Sequence, residues 1–538
     1  MRRTIGIAAV LVAAGGGLNA SSAQHAPVWV RGATCYEVFV RSFYDSDGDG
    51  VGDLRGLTAK LDYINDGNPR SDKSLGARCV WLMPIVESPS YHGYDATDYY
   101  HVARAYGTNE DFKRFVAAAH RRGIRVLVDM VLNHTSNEHP WFQAAMRDTT
   151  SPYRKWYRWS ATKPDSKGPW GQEVWYKSPV RDEYYYAVFW SGMPDLNYET
   201  PAVRTEVRKI ARFWLREMGV DGFRLDAVPF LMEDGGKLAG SAGTHALLKE
   251  YAAYVRSVRG DAYTVGEVYD SLGTVLTYYP DQLDSYFAFE LADSIIAAVR
   301  DGRGRGMLVP ALRLQRAVPN DRTSPFLRNH DQPRTRTELG GDVRKARLAS
   351  FLLLTMPGLP FVYYGEEIGM VGAKPDERLR TPMQWTNGHA GGFTTGTPWE
   401  ALQDDSSSTT VAAEMGDSSS VLAMNRRMIH LRSRVAALGD GELVPLRASH
   451  DGVTAYLRRR GSSIVLVVAN LTTETLEGVT VASDEGAVPA GRWGVQPLLD
   501  DNVGRRLTVG ANGRMDAYAP LRTLAPLEGY VFALSKLR

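Results

Sequence analysis

The stretch GFRLDA, residues 222–227, decides the fold. It reads as a short buried strand that stops at an acid, Asp226, with Arg224 two residues earlier on the same strand face. Five other stretches share this form: DMVLNH (129–134), MPDLN (193–197), GEVY (266–269), FLRNHD (326–331) and GLPFVYYGEE (358–367). Each carries polar residues where a barrel strand should stop. Working outward from them, strand-like runs fall at 36–43, 80–85, 125–132, 222–226, 263–267, 285–289, 325–329 and 359–364. Most are dense in Val, Ile, Leu, Phe and Tyr without clean alternation, as expected of strands covered on both faces. Helical patterns at 109–122, 201–218, 244–258 and 342–355 lie between them. Eight alternations of strand and helix predict an α/β fold, a (β/α)8 TIM barrel.

The barrel occupies residues 27–133 and 198–440 in this reading. Residues 134–197, rich in Trp, Tyr, Pro and Ser, are too long for an ordinary connection and predict an inserted small lobe after strand 3, walling one side of a cleft. From 441 to 538, short alternating runs separated by Gly, Asn and Asp predict a C-terminal antiparallel β-sandwich domain. The 538 residues exceed what one core can hold. A formal net charge of +2 provides no global attraction to nucleic acid or anionic lipid, and neither partner is expected. Arg2 and Arg3, the apolar stretch 5–14 and the step Ser21-Ser22-Ala23 predict a signal peptide over residues 1–23, hence export to the periplasm or the medium. No later segment is apolar and long enough for a membrane span, and a soluble monomer is expected. Cys35 and Cys79 fit either a disulfide or two buried thiols.

The strand ends bring three separated carboxylates, Asp226, Glu267 and Asp331, to one barrel mouth, the equipment of glycoside hydrolysis. Retaining hydrolysis needs one carboxylate to attack the anomeric carbon and one carboxylic acid to protonate the departing oxygen, about 5–5.5 Å apart. Asp226 and Glu267 end successive strands and suit these tasks. Arg224 can hold Asp226 ionised, and the apolar neighbours Val265 and Val268 should raise the pKa of Glu267. His134 and His330 flank the same mouth as neutral donors to sugar hydroxyls, and Asp331 can accept from hydroxyls beside the reacting carbon.

A second feature is independent of the barrel. DSDGDGVGD places Asp45, Asp47, Asp49 and Asp53 at loop positions one, three, five and nine, with the Val51 carbonyl at seven and Gly50 at six. This is the calcium-loop spacing of an EF-hand without its closing glutamate, since Gly56 stands there. A structural Ca²⁺ is expected to relieve the repulsion of four close carboxylates.

At these motifs the chain closely resembles the α-amylase family of glycoside hydrolases over nearly its whole length after the signal. The resemblance implies Asp226 as nucleophile, Glu267 as general acid/base and Asp331 as transition-state stabiliser. It implies that Arg224, His134 and His330 line the subsite of the reacting glucose. In YHGYDATDYY (91–100), Tyr94 matches the ring that stacks on that glucose, with His92 and Asp98 alongside; Arg334 matches a further subsite residue. MPDLN is similar to an intermediate subgroup of bacterial α-amylases, and Ala227 after the nucleophile looks like α-1,4 enzymes. The expected activity is cleavage of internal α-1,4 bonds of starch and maltooligosaccharides. DAVPFL is also similar to trehalose synthases and α-glucosidases, so action on maltose and chain ends is the alternative. Pro229 and Phe230 stand where many relatives carry Lys-His, which departs from an interdomain calcium site near Asn133.

Overall fold

The computed structural model describes residues 25–537 with the exception of Gly235, and the expected signal segment, residues 1–23, lies outside them. Seven strands form one sheet: β1 (Cys35–Val38), β2 (Cys79–Leu82), β3 (Arg125–Met130), β4 (Gly222–Leu225), β5 (Tyr263–Gly266), β6 (Ser285–Tyr286) and β7 (Phe361–Tyr363). They run in the order β6-β5-β4-β3-β2-β1-β7, and every pairing is parallel. The eighth stave differs from the expected strand at 325–329. Ser324 makes a single parallel bridge to Phe287, and the Phe361 amide donates to the Pro325 carbonyl at 2.9 Å. With the Leu359 amide on the Thr323 carbonyl at 2.9 Å and the Ala288 amide on the Ser324 carbonyl at 3.0 Å, these contacts close the barrel between β6 and β7, and Pro325 has no N–H to extend them into a ladder.

Alternation along the strands sorts two cores. Cys35, Cys79, Trp81, Leu127, Val265 and Phe361 point inward and share one buried cluster. Their neighbours Tyr36, Val80, Val126, Val128, Phe223 and Leu225 face the surrounding helices and join the main cluster. Each such buried apolar side chain contributes about 1.5–3 kcal/mol. Toward the strands' C-terminal ends the inward positions turn polar, at Glu37, Asp129 and Arg224, where only pairing can offset desolvation. Gly222 opens β4 because a Cβ there would lie 1.9 Å from the Tyr263 carbonyl oxygen of β5. Cys35 and Cys79 are register partners on β1 and β2 and form a disulfide, which settles the two options for these residues.

Helix Asn109–Arg121 starts at a capping box formed by Thr108 and Asp111. Helix Pro201–Arg212 starts with proline in its first turn and continues as a π-helix over Phe213–Glu217. The inserted lobe carries a three-stranded antiparallel sheet, Trp159–Ser160, Trp175–Lys177 and Tyr184–Tyr186. It joins the barrel through a bridge between His134 and Asp195 and the Leu196 amide on the Asn133 carbonyl, 2.9 Å. The C-terminal region, from Glu442 to Lys536, is a seven-stranded antiparallel sheet backed by a two-stranded ribbon, Leu476–Glu477 with Thr523–Leu524. Leu476 and Leu524 of the ribbon share one buried cluster with Leu466, Val468 and Phe532 of the large sheet. Tyr456, Val465 and Val467 of the large sheet join the main barrel core, so the two regions share apolar contact. Among the described residues no helix is long and apolar enough to cross a membrane.

Candidate active site

The barrel mouth opens into a cleft of about 1220 Å³, larger than the about 300–1,000 Å³ of most small-molecule pockets. Asp226, Glu267, Asp331, His92, Tyr94, His134 and Arg380 line its inner part. The floor is organised by one guanidinium. Arg224, completely buried, donates from Nη1 to Asp226 at 2.8 Å and from Nη2 to Glu267 at 2.5 Å. Nη1 also lies 2.9 Å from both oxygens of Asp129. Two carboxylates from adjacent strands are thus held on the two arms of a single planar fork. Ala227, directly after Asp226, adopts a left-handed backbone, φ 43°. Its amide donates to Glu267 Oε2 at 3.3 Å.

The electrostatics differ from one carboxyl to the next. Burial raises Asp226 to about 6 and Glu267 to about 7; Arg224 pulls both down, while neighbouring carboxylates, Asp331 among them, push both up. Glu267 is the weaker acid of the pair and retains the proton. Asp129, deeper still, is raised by burial to about 6. Burial opposes ionisation of Asp331, but the cations Arg380 and Arg224 help outweigh it and hold its carboxyl below the ordinary range. Arg380 Nη2 donates to Asp331 at 2.8 Å. Burial lowers His330 to about 3 and His134 to about 4, so both rings are neutral at ordinary pH.

Tyr94 stands at the junction of this network. Its hydroxyl lies 2.6 Å from His330 Nε2 and 3.1 Å from Asp129, and its ring stacks on His330 at 5.5 Å and 13°. His330 Nδ1 lies 2.6 Å from Glu37 on β1, an acid that burial pushes well above the ordinary range against the pull of Arg224. Arg224 and His330 are sealed below the surface, so they reach the cleft through Asp226, Glu267, Tyr94 and Asp331 instead of lining it. His134 lines the cleft with its ring while its Nε2 meets the Tyr94 carbonyl at 3.0 Å.

Two expected substrate contacts lie elsewhere. Asp98 opens a short outward-facing strand, Asp98–Val102, and binds the Tyr100 amide at 2.7 Å and His101 Nδ1 at 2.7 Å. The inward acid of that segment is Asp95, buried and bonded to Ser88 at 2.6 Å and to Ser90, which meets His92 Nδ1 at 3.1 Å. Arg334 is fully buried behind the site, donating to the Tyr364 carbonyl at 2.7 Å with its guanidinium over Tyr363. The cleft arginine is instead Arg380, which also meets the Tyr91 hydroxyl at 3.2 Å. In the acidic loop, Asp45, Asp47 and Asp49 bring carboxylate oxygens within 4.8 Å of one another. Asp53 is the N-cap of helix Leu54–Ala59, accepting from the Gly56 amide at 2.8 Å and the Ser46 amide at 2.7 Å.

A parallel barrel whose mouth gathers three carboxylates over one buried guanidinium, inside an open cleft, has the makings of a glycoside hydrolase. The family model described as the α-amylase catalytic domain matches residues 37–441. Alpha-amylase 3 of Dictyoglomus thermophilum is 41% identical over 448 residues, covering 82% of this chain and 85% of that protein. A trehalose synthase/amylase of Mycolicibacterium smegmatis is 36% identical over 486 residues, 80% of each chain. The crystal structure of an α-amylase from H. orenii has a TM-score of 0.80 at 38% identity, covering 93% of this chain and 99% of that one. The chain belongs to the α-amylase family of glycoside hydrolases.

Proposed function

We propose that this enzyme is a retaining α-amylase that cleaves internal α-1,4 bonds of starch and maltooligosaccharides. The observation that carries the reading is the attachment of Asp226 and Glu267 to the two arms of Arg224. One guanidinium between two carboxyls favours the close spacing of about 5–5.5 Å used for retention over the about 6.5–9.5 Å that leaves room for water in inversion. Asp226, ionised beside Arg224, attacks the anomeric carbon and forms the β-glucosyl ester as the glycosidic bond breaks. Glu267, whose raised pKa lets it keep a proton up to near neutral pH, gives that proton to the departing 4-oxygen. It then takes a proton from water as the ester is hydrolysed, which restores both groups. Asp331, kept ionised by Arg380, accepts hydrogen bonds from hydroxyls next to the reacting carbon. Tyr94 offers its ring to the sugar, held in place by His330 and Asp129.

The size of the cleft and the 41% identity to an α-amylase support internal cleavage. Arg380, which ties Asp331 to Tyr91, forms a wall beside the reacting glucose and favours the second reading, action on maltose and chain ends. Product analysis decides between them. Amylose should yield mixed maltooligosaccharides from the first minutes; glucose alone, or trehalose from maltose, would establish the second reading instead.

We also propose that Asp45, Asp47, Asp49 and the Val51 carbonyl hold a structural Ca²⁺. The donor set consists of hard oxygens and fits that ion; the ion would cancel the charge of the three converging carboxylates. Asp53 is engaged as a helix cap, so it joins this set only through oxygen lone pairs its amide partners leave free. Chelation should lower the melting temperature of the purified enzyme by several degrees, and Asp49→Ala should remove that response. A melting curve unmoved by chelator in the unmutated enzyme would count against the ion.

A further inference from the structure

We propose that Glu37 is a positioning residue whose carboxylic acid donates a hydrogen bond to His330 Nδ1. This contact fixes the ring with its one hydrogen on Nε2, turned toward Tyr94 and Asp331. The placement of the hydrogen is independent of substrate; its consequence for turnover rests on the glycan-hydrolase reading above.

Glu37 stands on β1 and His330 in the turn after the eighth stave, and both are sealed from solvent. Glu37 Oε1 lies 2.6 Å from His330 Nδ1. The other ring nitrogen, Nε2, lies 2.6 Å from the Tyr94 hydroxyl and 3.2 Å from Asp331 Oδ2. Burial keeps this ring neutral, so it has one hydrogen for three contacts.

One placement satisfies all three. Asp331 is held ionised beside Arg380 and can only accept, so Nε2 is the nitrogen that donates. The Tyr94 oxygen accepts from the same N–H, while its own hydrogen points to Asp129 at 3.1 Å. Nδ1 is then a bare lone pair. A carboxylate 2.6 Å away would set lone pair against lone pair, so the contact is a hydrogen bond only when Glu37 supplies the hydrogen.

The surroundings agree. The guanidinium groups are engaged elsewhere, Arg224 on Asp129, Asp226 and Glu267, and Arg380 on Asp331. Burial pushes the Glu37 carboxyl well above the ordinary range against the pull of Arg224, and the charges of Asp331 and Asp129 add to the rise. Trp81 packs edge-on against the His330 ring at 5.8 Å and helps hold its orientation. Donation therefore runs one way, from Glu37 to the ring and from the ring to Tyr94 and Asp331. The hydrogen bond on Asp331 supports its ionised form, the one that takes hydroxyls beside the reacting carbon.

Labelling the histidines with ¹⁵N locates the hydrogen directly, in enzyme without substrate. At neutral pH the His330 signals, identified by their loss in His330→Asn, should show a bare Nδ1 and a protonated Nε2. A hydrogen on Nδ1, alone or together with one on Nε2, would overturn the proposal. Kinetics test the consequence. Glu37→Met keeps the length of the side chain but cannot donate, and kcat on maltoheptaose should fall about five- to tenfold with little change in KM. Glu37→Gln, whose amide can donate to Nδ1, should recover most of that loss. A glutamine variant as impaired as the methionine one, or a methionine variant as active as the unmutated enzyme, would overturn the positioning role. An unmutated enzyme inert on maltoheptaose would remove the hydrolase reading instead, while the ¹⁵N spectrum would still decide where the hydrogen sits.

Discussion

Asp226→Asn is expected to lower kcat on amylose by on the order of 10⁴-fold or more without lowering the melting temperature. The amide has the size of the carboxylate and still offers an oxygen to Arg224, so the 2.8 Å contact survives. What is lost is the electron pair that forms the glycosyl ester. Stability is preserved for an electrostatic reason. Burial and the charges of Asp129 and Asp331 raise the Asp226 carboxyl to about 6, so its ionised form is held at a net cost that a neutral side chain relieves. Arg224 keeps Asp129 as a counter-charge and Glu267 as a hydrogen-bond partner. Residual activity near that of the unmutated enzyme would remove Asp226 from the mechanism. A collapsed melting curve would mean that its charge supports the fold.

Glu267→Gln should cost about 10²- to 10⁴-fold in kcat/KM on glucans and change the shape of the pH profile. The sign follows from the two raised carboxyls. Asp226 must be ionised to attack, so kcat/KM falls as pH drops through about 6. Glu267 must be protonated to donate, so kcat/KM falls as pH rises through about 7. The pair titrates together, giving a narrow bell whose upper limb belongs to the proton that Glu267 retains. Glutamine cannot titrate, and the upper limb should vanish while the lower one stays. α-Glucosyl fluoride, whose leaving group needs no proton, should lose far less in formation of the ester. An upper limb that persists in Glu267→Gln would assign the proton to another group, with Asp129 the nearest candidate in the network.

The strand ends carried most of what could be read directly. Asp226, Glu267 and Asp331 converge because each follows a strand or stave of one barrel, and the polar ending of each stretch is the mark of a functional mouth. Glu37 was illegible for a physical reason: within CYEVFV it looks like one polar residue in an apolar strand, and only closure of the barrel turns it onto His330. Arg380 lies beyond the last strand in a segment without periodicity, and nothing local ties it to Asp331. In YHGYDATDYY two aspartates compete; the outward strand at Asp98 and the inward loop at Asp95 are distinguished only by the local chain path. Pro325 was visible, and its missing N–H explains why the seventh run makes a bridge instead of a strand.

The central claim is that Asp226 becomes covalently bonded to glucose while Glu267 manages the proton. The most direct measurement is mass spectrometry of the enzyme after reaction with 5-fluoro-α-glucosyl fluoride, which forms the ester readily and hydrolyses slowly. One fluoroglucosyl group should be found on the peptide containing Asp226 and be absent from Asp226→Asn. A label on any other carboxylate, or an unlabelled enzyme whose first product from maltotriose is the β-anomer, would contradict the account.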